Sequence, residues 1–213
     1  ILRQFIAKAE SEQLDSTLVT ALFDKVLERP QPNADVPMLY SQYLLSKRMD
    51  RQSEPVLEQV LRIEPDNKPA RLQLMSFAIG GNRLDDVIRL ATPALEYHPE
   101  ALEFYYYLGL AHYQKEETDQ ALKVFQRGVK QINAQSDKNI ASDFYSILGD
   151  LYHQKGMSAE AYAAYDSSLV YNPNNIATMN NYAYYLSVER VQLDKAEEMS
   201  YKTVKAEPEN GTY

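Results

Sequence analysis

The chain has 213 residues, of which 7 are glycine and none is cysteine, so a turn-rich β-sandwich or barrel, disulfides, thiolate metal sites and cysteine nucleophiles are excluded. Its 30 acidic and 22 basic residues give a net charge of -8, which argues against nucleic acid or an anionic membrane surface as a partner. Hydrophobic residues make up 45% of the chain, enough for a folded core, and they include 17 tyrosines beside no tryptophan.

Four prolines divide the chain at regular intervals. Pro65, Pro99, Pro173 and Pro208 each follow an amphipathic run, at intervals of 34, 74 and 35 residues, and the middle interval is the length of two repeats. Because proline cannot continue a helix and disfavours helix in the residue before it, each of the four marks a helix end. The spacing therefore predicts an internal repeat of about 34 residues in which one proline is missing.

Two segments upstream of these helix ends align with each other. LGLAHYQKEETDQALKVF begins at Leu108 and LGDLYHQKGMSAEAYAAY begins at Leu148. In both, alanine follows the glycine by twelve residues, and an aromatic residue follows four later. This pattern resembles the tetratricopeptide repeat, whose consensus has a large residue at position 4, Leu at 7, Gly at 8, Tyr at 11, Ala at 20, an aromatic at 24, Ala at 27 and Pro at 32. The resemblance covers residues 34–213.

The predicted elements are helix pairs, one for each copy of the repeat. Residues 1–33 are expected to form a degenerate N-terminal pair, and the array that follows consists of copies 34–67, 68–101, 102–141, 142–175 and 176–210. The best copy has Tyr145, Leu148, Gly149, Tyr152, Ala161, Tyr165, Ser168 and Pro173 at consensus positions. Copy 102–141 lacks the proline and is expected to end in a longer loop near Gln135–Asn139. The chain stops inside a following repeat, and because it begins at Ile1 we expect a processed or truncated product.

The fold class follows from the spacing. Positions 4, 7, 8 and 11 lie on one face of a first helix, and positions 20, 24 and 27 lie on one face of a second. Small residues such as Gly149 and Ala161 let the two helices approach closely. One pair cannot bury both faces alone, so the copies must stack. We therefore predict an all-α protein, an α-solenoid of about twelve helices in stacked antiparallel pairs, and the resemblance implies a right-handed superhelix.

No catalytic motif is present: the chain has no phosphate-binding loop, zinc helix, nucleophile elbow or EF-hand loop. We expect no enzymatic activity, no cofactor and no metal. Gly80–Gly81–Asn82 is interpreted as the turn between two helices, and Asn210–Gly211–Thr212, although it fits the glycosylation triplet, as a turn that starts the next repeat. We expect His98 to cap a helix end or to be solvated, and His112 to be partly buried.

A surface is the better functional candidate. The resemblance implies that positions 2, 5, 9 and 12, about 100° round the first helix of each pair, line a concave groove in which extended peptides bind. The candidate ligand-binding residues are Glu103, Tyr106, Leu110, Tyr113, Asp143, Ser146, Asp150, His153, Asn180 and Tyr184. The alternative is that these side chains are solvated or pack against their neighbours. In contrast, Tyr40, Tyr105, Tyr145, Tyr152, Tyr165 and Tyr182 occupy repeat-packing positions.

The predicted function is a non-catalytic interaction scaffold that holds a partner protein or peptide in the groove. Some chaperone-binding members of the family clamp a terminal carboxylate with Lys at position 5 and Asn at position 9. This chain has other residues at those two positions, namely Tyr106/Leu110, Ser146/Asp150 and Asn180/Tyr184. An acidic, aromatic groove instead suits a neutral or basic peptide. No apolar run approaches the ~20 residues that span a bilayer.

Two other functions stay open. Tyrosines can stack on sugar faces while Asp and Asn hold hydroxyls, which would make the groove a glycan or small-ligand site. Less favoured is a helical enzyme that uses Asp143, Asp150 and His153 as acid–base or metal-binding groups. The phrases AYDSSLVYNPNN and NNYAYYLS resemble proteins of Bacteroidetes-type bacteria, which favours the cell envelope or periplasm over the cytoplasm.

Overall fold

The structure is a computed structural model that describes residues 2–11, 16–206 and 208. These residues form twelve α-helices, one short 3-10 helix and no strand, so the predicted all-α class is confirmed. The chain divides into two compact units, residues 1–99 and residues 100–213. Unit 1 contains α1 (Leu2–Ser11), α2 (Ser16–Leu27), α3 (Asp35–Ser46), α4 (Asp50–Ile63), α5 (Lys68–Gly80) and α6 (Leu84–Tyr97). Unit 2 contains α7 (Leu102–Gln114), α8 (Thr118–Gly128), the 3-10 helix Val129–Gln131, α9 (Lys138–Gln154), α10 (Ser158–Tyr171), α11 (Ile176–Glu189) and α12 (Leu193–Ala206).

Consecutive helices pair and the pairs stack, as the spacing predicts. In unit 1, α3 packs on α4 and α5 packs on α6, and α4 joins the two pairs by packing on α5. In unit 2, the pairs are α7 with α8, α9 with α10 and α11 with α12, and α8 packs on α9 as α10 packs on α11. The first helix of each pair is called the A helix below, and the second the B helix. Both α1 and α2 contact α3.

Glycine allows the closest approaches between the paired helices of unit 2. A Cβ atom added to Gly109 would lie 2.4 Å from Phe125 Cε2, and one added to Gly149 would lie 2.3 Å from Tyr165 Cε1. These distances are far below van der Waals contact, so the predicted role of Gly149 is confirmed. In each case the aromatic ring at position 24 fills the space that the missing side chain leaves.

Tyrosine supplies much of the core at the repeat-packing positions. Tyr165 and Tyr182 are the largest fully buried side chains, and their rings stack at 5.1 Å between centroids. Tyr40 and Tyr105 are also buried. Tyr145 and Tyr152 are only partly buried, and Tyr145 stacks on Tyr171 at 5.6 Å. The predicted role of tyrosine as packing between helices is therefore confirmed for the four buried rings.

The predicted helix ends are largely correct. Pro65, Pro99 and Pro173 each come two residues after the last residue of a helix, namely of α4, α6 and α10. The predicted longer loop near Gln135–Asn139 is found at residues 132–137, and only Lys138 and Asn139 of the predicted range belong to α9 instead. The Asp137 carboxylate accepts from the N–H groups of Asn139 (2.8 Å) and Ile140 (3.1 Å), and this cap starts α9 at Lys138. The predicted turn Asn210–Gly211–Thr212 lies outside the described residues.

A left-handed residue recurs in the three-residue turn that joins each A helix to its B helix. Its positions, 34, 34, 40 and 34 residues apart, are Arg48, Asn82, Glu116, Gly156 and Arg190, with φ of 57°, 52°, 59°, 71° and 56°. The following residue donates its N–H to the carbonyl five residues back, as from Glu117 to His112 at 2.9 Å and from Met157 to Tyr152 at 2.9 Å. The predicted turn Gly80–Gly81–Asn82 is confirmed at residues 81–83, and Gly80 is the last residue of α5.

Glu116→Gly is expected to stabilise the protein. A side chain in the left-handed region costs about 1–2 kcal/mol, and the extra chain entropy of glycine offsets roughly 0.5–1 kcal/mol of that gain. We expect the free energy of unfolding in urea to rise by about 0.5–1 kcal/mol. Lys115→Gly is the control, because Lys115 has φ of -84° and gains no relief. A loss of stability in Glu116→Gly equal to that in Lys115→Gly would contradict the prediction.

Candidate binding face

The A helices of unit 2 carry aromatic rings and carboxylates and almost no cations. Lys138, the first residue of α9, is the one lysine or arginine in α7, α9 and α11. The same helices contain the four carboxylates of Glu103, Asp143, Asp150 and Glu189. The surface formed by α7, α9 and α11 is called the A-helix face below. It is acidic by sequence, and it contains all ten candidate ligand-binding residues.

Tyr106 and Tyr113 of α7 lie half-buried beside α9. The Tyr106 ring packs at 5.8 Å from Phe144 and at 5.9 Å from Tyr107. Burial and then the charge of Asp143 raise the pKa of the Tyr106 hydroxyl. Tyr113 accepts a hydrogen bond from Gln154 Nε2 at 3.3 Å, and its pKa is raised by burial and then by Asp150. Both hydroxyls therefore lie close to carboxylates of α9. Glu103 and Leu110 on the same helix are partly exposed.

Asp150 is the polar centre of the A-helix face. Its Oδ1 accepts from the Tyr165 hydroxyl at 2.6 Å and from Asn181 Nδ2 at 3.1 Å, and the same Asn181 nitrogen lies 3.3 Å from Oδ2. Burial raises the pKa of Asp150, and these hydrogen bonds and the charge of His153 counteract that rise. One carboxylate thus connects α9, α10 and α11 through neutral donors.

His153 lies at the end of α9 against α11. Its ring stacks on Tyr185 with 3.5 Å between centroids, and Nε2 lies 3.2 Å from Glu189 Oε1. The Ser158 hydroxyl donates to the same Glu189 oxygen at 2.8 Å. The Tyr185 ring also stacks at 6.2 Å from Tyr165. Tyr185 is therefore packed against His153. Burial, and then the charge of the nearby Asp150, raise the pKa of the Tyr185 hydroxyl.

A second polar network surrounds Asp143, two helical turns before Asp150 on α9. Asn175 Nδ2 donates to Asp143 Oδ1 at 3.2 Å and to Ser142 Oγ at 3.0 Å. The Ser142 and Ser168 hydroxyls are 2.9 Å apart, and Ser168 is 2.8 Å from Thr178 Oγ1. This network is buried and joins α9, α10 and α11 from within. Asp143 itself stays partly exposed, and burial raises its pKa.

A shallow recess opens where α7 and α9 end. It is lined by Tyr113, Gln114, Glu116, Thr118 and Gln154. Tyr113 belongs both to this recess and to the surroundings of Asp150. None of the helices among the described residues combines the length and apolar character needed to cross a bilayer.

Comparison with known proteins agrees with the repeat. A sequence model of the tetratricopeptide repeat family matches residues 78–139. The match runs from the end of α5 to the start of α9. The helix pairs outside that match are joined by the same three-residue turns. The left-handed residue is the second of the turn at Arg48 and Gly156 and the first at Arg190.

Several solved structures are similar to this chain in fold. MamA matches with a TM-score of 0.67 and 20% identity over 81% of this chain and 97% of its own. YrrB, described as a tetratricopeptide repeat protein with an unusual peptide-binding site, matches with a TM-score of 0.69 and 17% identity over 89% of this chain and 94% of its own. PilF of Pseudomonas aeruginosa matches with a TM-score of 0.65 and 17% identity over 83% of this chain and 78% of its own. A search of curated proteins gives no significant match.

In the last copy of the repeat, the residues that contact α9 are not the ones that the sequence singled out. Asn180 is partly exposed and Tyr184 is 62% exposed, whereas Asn181 and Tyr185 reach Asp150 and His153. Tyr184 touches this group only through the Tyr185 ring, at 5.3 Å. Asn181 and Tyr185 are four residues apart on one helical face, and that spacing is the one signal in the sequence for their joint placement.

The other predicted site residues have varied surroundings. Ser146 is 7% exposed and so contributes little to an open surface. His112 is partly buried, and its Nδ1 lies 2.6 Å from Glu117 Oε2. His98 is the residue at the C-terminal end of α6, and its Nε2 lies 2.7 Å from the carbonyl oxygen of Asp66. Both predictions for these histidines are confirmed. Within the part of the chain that the structure describes, no three His, Cys, Asp or Glu side chains are grouped so that they could hold a metal.

Proposed function

We propose that this chain is a non-catalytic protein-interaction scaffold and that it binds an extended segment of a partner protein across the A-helix face of unit 2. The observation that supports this most directly is the composition of that face. Three successive A helices place tyrosines and carboxylates side by side. Apart from Lys138 at the start of α9, these helices contain no lysine or arginine. A surface of this kind offers both contact area and a uniform charge to a partner.

The packing supports the same proposal. The rings of Tyr106 and Tyr185 and the Asp143 and Asp150 carboxylates are fixed by stacking and by hydrogen bonds before any partner arrives. A rigid surface loses little conformational freedom on binding, so more of the contact energy is available for affinity. Tyr184, which is 62% exposed, adds apolar area at the α11 end. YrrB, one of the proteins with a similar fold, has a peptide-binding site by its description.

The test is the double variant Tyr113→Ala with Tyr184→Ala. We expect it to weaken capture of the partner from a lysate of the source organism by about tenfold or more, since exposed aromatic residues often dominate binding energy. The melting temperature should stay close to that of the wild type, because neither ring belongs to the buried core. Capture is measured by quantitative mass spectrometry, and the affinity for the captured partner by calorimetry.

The control is Tyr201→Ala, which removes an equally exposed tyrosine (68%) from the B helix α12. Unchanged capture by the double variant would contradict the proposed function. Binding to a glycan array, lost in the same double variant and without any protein partner, would favour the glycan alternative instead. Loss of folding in the double variant would show that the two rings are structural.

A further inference from the structure

The Asp150 carboxylate has a hydrogen-bonding position left over. An ionised carboxylate has about four lone-pair sites. Oδ1 accepts from Tyr165 and Asn181, whereas among the residues that the structure describes only Asn181 approaches Oδ2, at 3.3 Å. The ion pairs among the described residues do not include Asp150. A half-buried negative charge therefore retains one accepting site and has no lysine or arginine partner.

Aromatic rings surround this site on the side of the A-helix face. Tyr185 of α11 stacks at 6.2 Å on Tyr165, whose hydroxyl donates to Asp150. Tyr113 of α7 accepts from Gln154, one helical turn after Asp150, and the charge of Asp150 helps to raise the pKa of both tyrosine hydroxyls. The face of the Tyr113 ring can attract a cation and add to the attraction of the carboxylate. The Tyr185 ring, which is stacked on His153 at 3.5 Å, borders the site on the α11 side. An anionic or purely apolar side chain gains neither interaction, and an anion is repelled by Asp150.

The recess beside Tyr113 provides room for a side chain that is long and flexible. Its lining includes the polar side chains of Gln114, Thr118 and Gln154 and the carboxylate of Glu116. A lysine or arginine can lay its aliphatic part along the Tyr113 ring and direct its charged end toward a carboxylate. Length, charge and aromatic contact therefore all match one class of side chain.

We infer that Tyr113, Asp150 and Tyr185 form a seat for a lysine or arginine side chain of the bound partner segment. This inference rests on the proposed function, because it names the chemistry of the partner that the A-helix face selects. The partner is accordingly a protein with an extended basic segment, and Asp150 is the residue that determines the preference. Tyr113 and Tyr185 position the cation, and Asn181 and Tyr165 hold the carboxylate in place.

The test uses four acetylated and amidated peptides of the sequence GSGSXSGSG, with Lys, Arg, norleucine or Glu at X. Binding is followed by chemical-shift changes of the amide resonances of unit 2 in the full chain. We expect the Lys and Arg peptides to bind about tenfold more tightly than the norleucine peptide, which has the same aliphatic length without charge. The shifts should be centred on Tyr113, Asp150 and Tyr185. Equal binding by the Lys and norleucine peptides, or binding by neither, overturns the inference.

Asp150→Asn keeps the shape of the side chain and removes its charge, so it should reduce Lys binding to the norleucine level. Glu160→Gln is the control, because it removes an exposed carboxylate from the B helix α10 and should leave the preference unchanged. If Asp150→Asn does not fold, Tyr185→Leu, which removes the ring and keeps the charge, should lower the preference. A preference that persists in Asp150→Asn overturns the inference.

The inference and the proposed function can fail separately. If a captured partner binds equally well after its lysines are acetylated and its arginines replaced, the cation seat is wrong and the scaffold stands. If the double variant Tyr113→Ala with Tyr184→Ala captures the partner undiminished, the A-helix face is not the binding surface and both proposals fail.

Discussion

Gly149→Ala is expected to destabilise unit 2 by about 1–3 kcal/mol, the usual cost of forcing an extra methyl group into a packed core. The added Cβ would lie 2.3 Å from Tyr165 Cε1 and 2.5 Å from Cδ1. Tyr165 is fully buried and its hydroxyl is bonded to Asp150 at 2.6 Å, so the ring cannot move aside without breaking that bond. The measurement is the free energy of unfolding in urea. Gly109→Ala, whose added Cβ would lie 2.4 Å from Phe125 Cε2, should have a similar cost.

Gly80→Ala is the matched control for this prediction. Gly80 is also a helical glycine, the last residue of α5, but a Cβ there meets nothing within 4 Å. Alanine is favoured over glycine in a helix by up to about 1 kcal/mol, so this substitution should be neutral or stabilising. A second check is the double variant Gly149→Ala with Tyr165→Leu, whose cost should be less than the sum of the two single costs because the clash is removed. Equal stability changes in Gly149→Ala and Gly80→Ala would contradict the role assigned to close helix approach.

The helix pairs could be predicted because their packing rule is local and strict. Gly149 and Tyr165 lie in adjacent helices and fit each other only as a glycine against a ring, so the rule leaves a sequence pattern that recurs at the repeat spacing. The prolines that end α4, α6 and α10 add a second periodic signal. The start of α9 was harder to predict, since it depends on a single capping residue, Asp137, in a loop outside the periodic pattern.

The candidate site was predictable only in part. The sequence singled out Asp150, Tyr113 and His153 by their place on a helical face, and the structure places them beside one another. The four-residue spacing of Asn181 and Tyr185 places them on one face of α11 but does not show that this face meets α9, because the side of α11 that meets α9 depends on the rotation between successive helix pairs. That rotation is a property of the packed repeats and does not appear in the pattern of any one copy. For the same reason, the burial of Ser146 was not foreseen.

Arg71 was also missed. It occupies position 4 of its copy, where the consensus has a large apolar residue, and it is 5% exposed. Its Nη1 donates to the Leu90 carbonyl at 2.8 Å, and its Nη2 donates to the Pro65 carbonyl. The guanidinium carbon lies 5.9 Å from the centre of the Tyr97 ring. Burial lowers the pKa of Arg71, and the nearby Tyr97 and Glu58 counteract that change. One buried side chain thus connects α5 with α6 and with the loop after α4.

Arg71→Ala is expected to destabilise unit 1 by about 2–4 kcal/mol. The substitution removes the aliphatic part of the side chain from the core and two charge-assisted hydrogen bonds, each of which contributes about 1.5–3 kcal/mol before the cost of burying the charge is subtracted. Arg71→Lys should recover only part of the loss, because a single ammonium group lacks the fork that reaches both carbonyls. The measurement is again urea unfolding, followed by signals from unit 1.

Arg89→Ala separates this bridging role from the mere loss of an arginine. Arg89 lies on the neighbouring helix α6, its side chain is 54% exposed, and it pairs with Glu58 at 2.8 Å. An exposed ion pair of this kind contributes about 0–1 kcal/mol, so its removal should cost far less than that of Arg71. Equal losses for the two variants would mean that Arg71 contributes only its charge. A large loss for Arg71→Ala, partly restored by Lys, would instead show that a buried cation can replace the apolar residue of the repeat when backbone carbonyls accept from both of its terminal nitrogens.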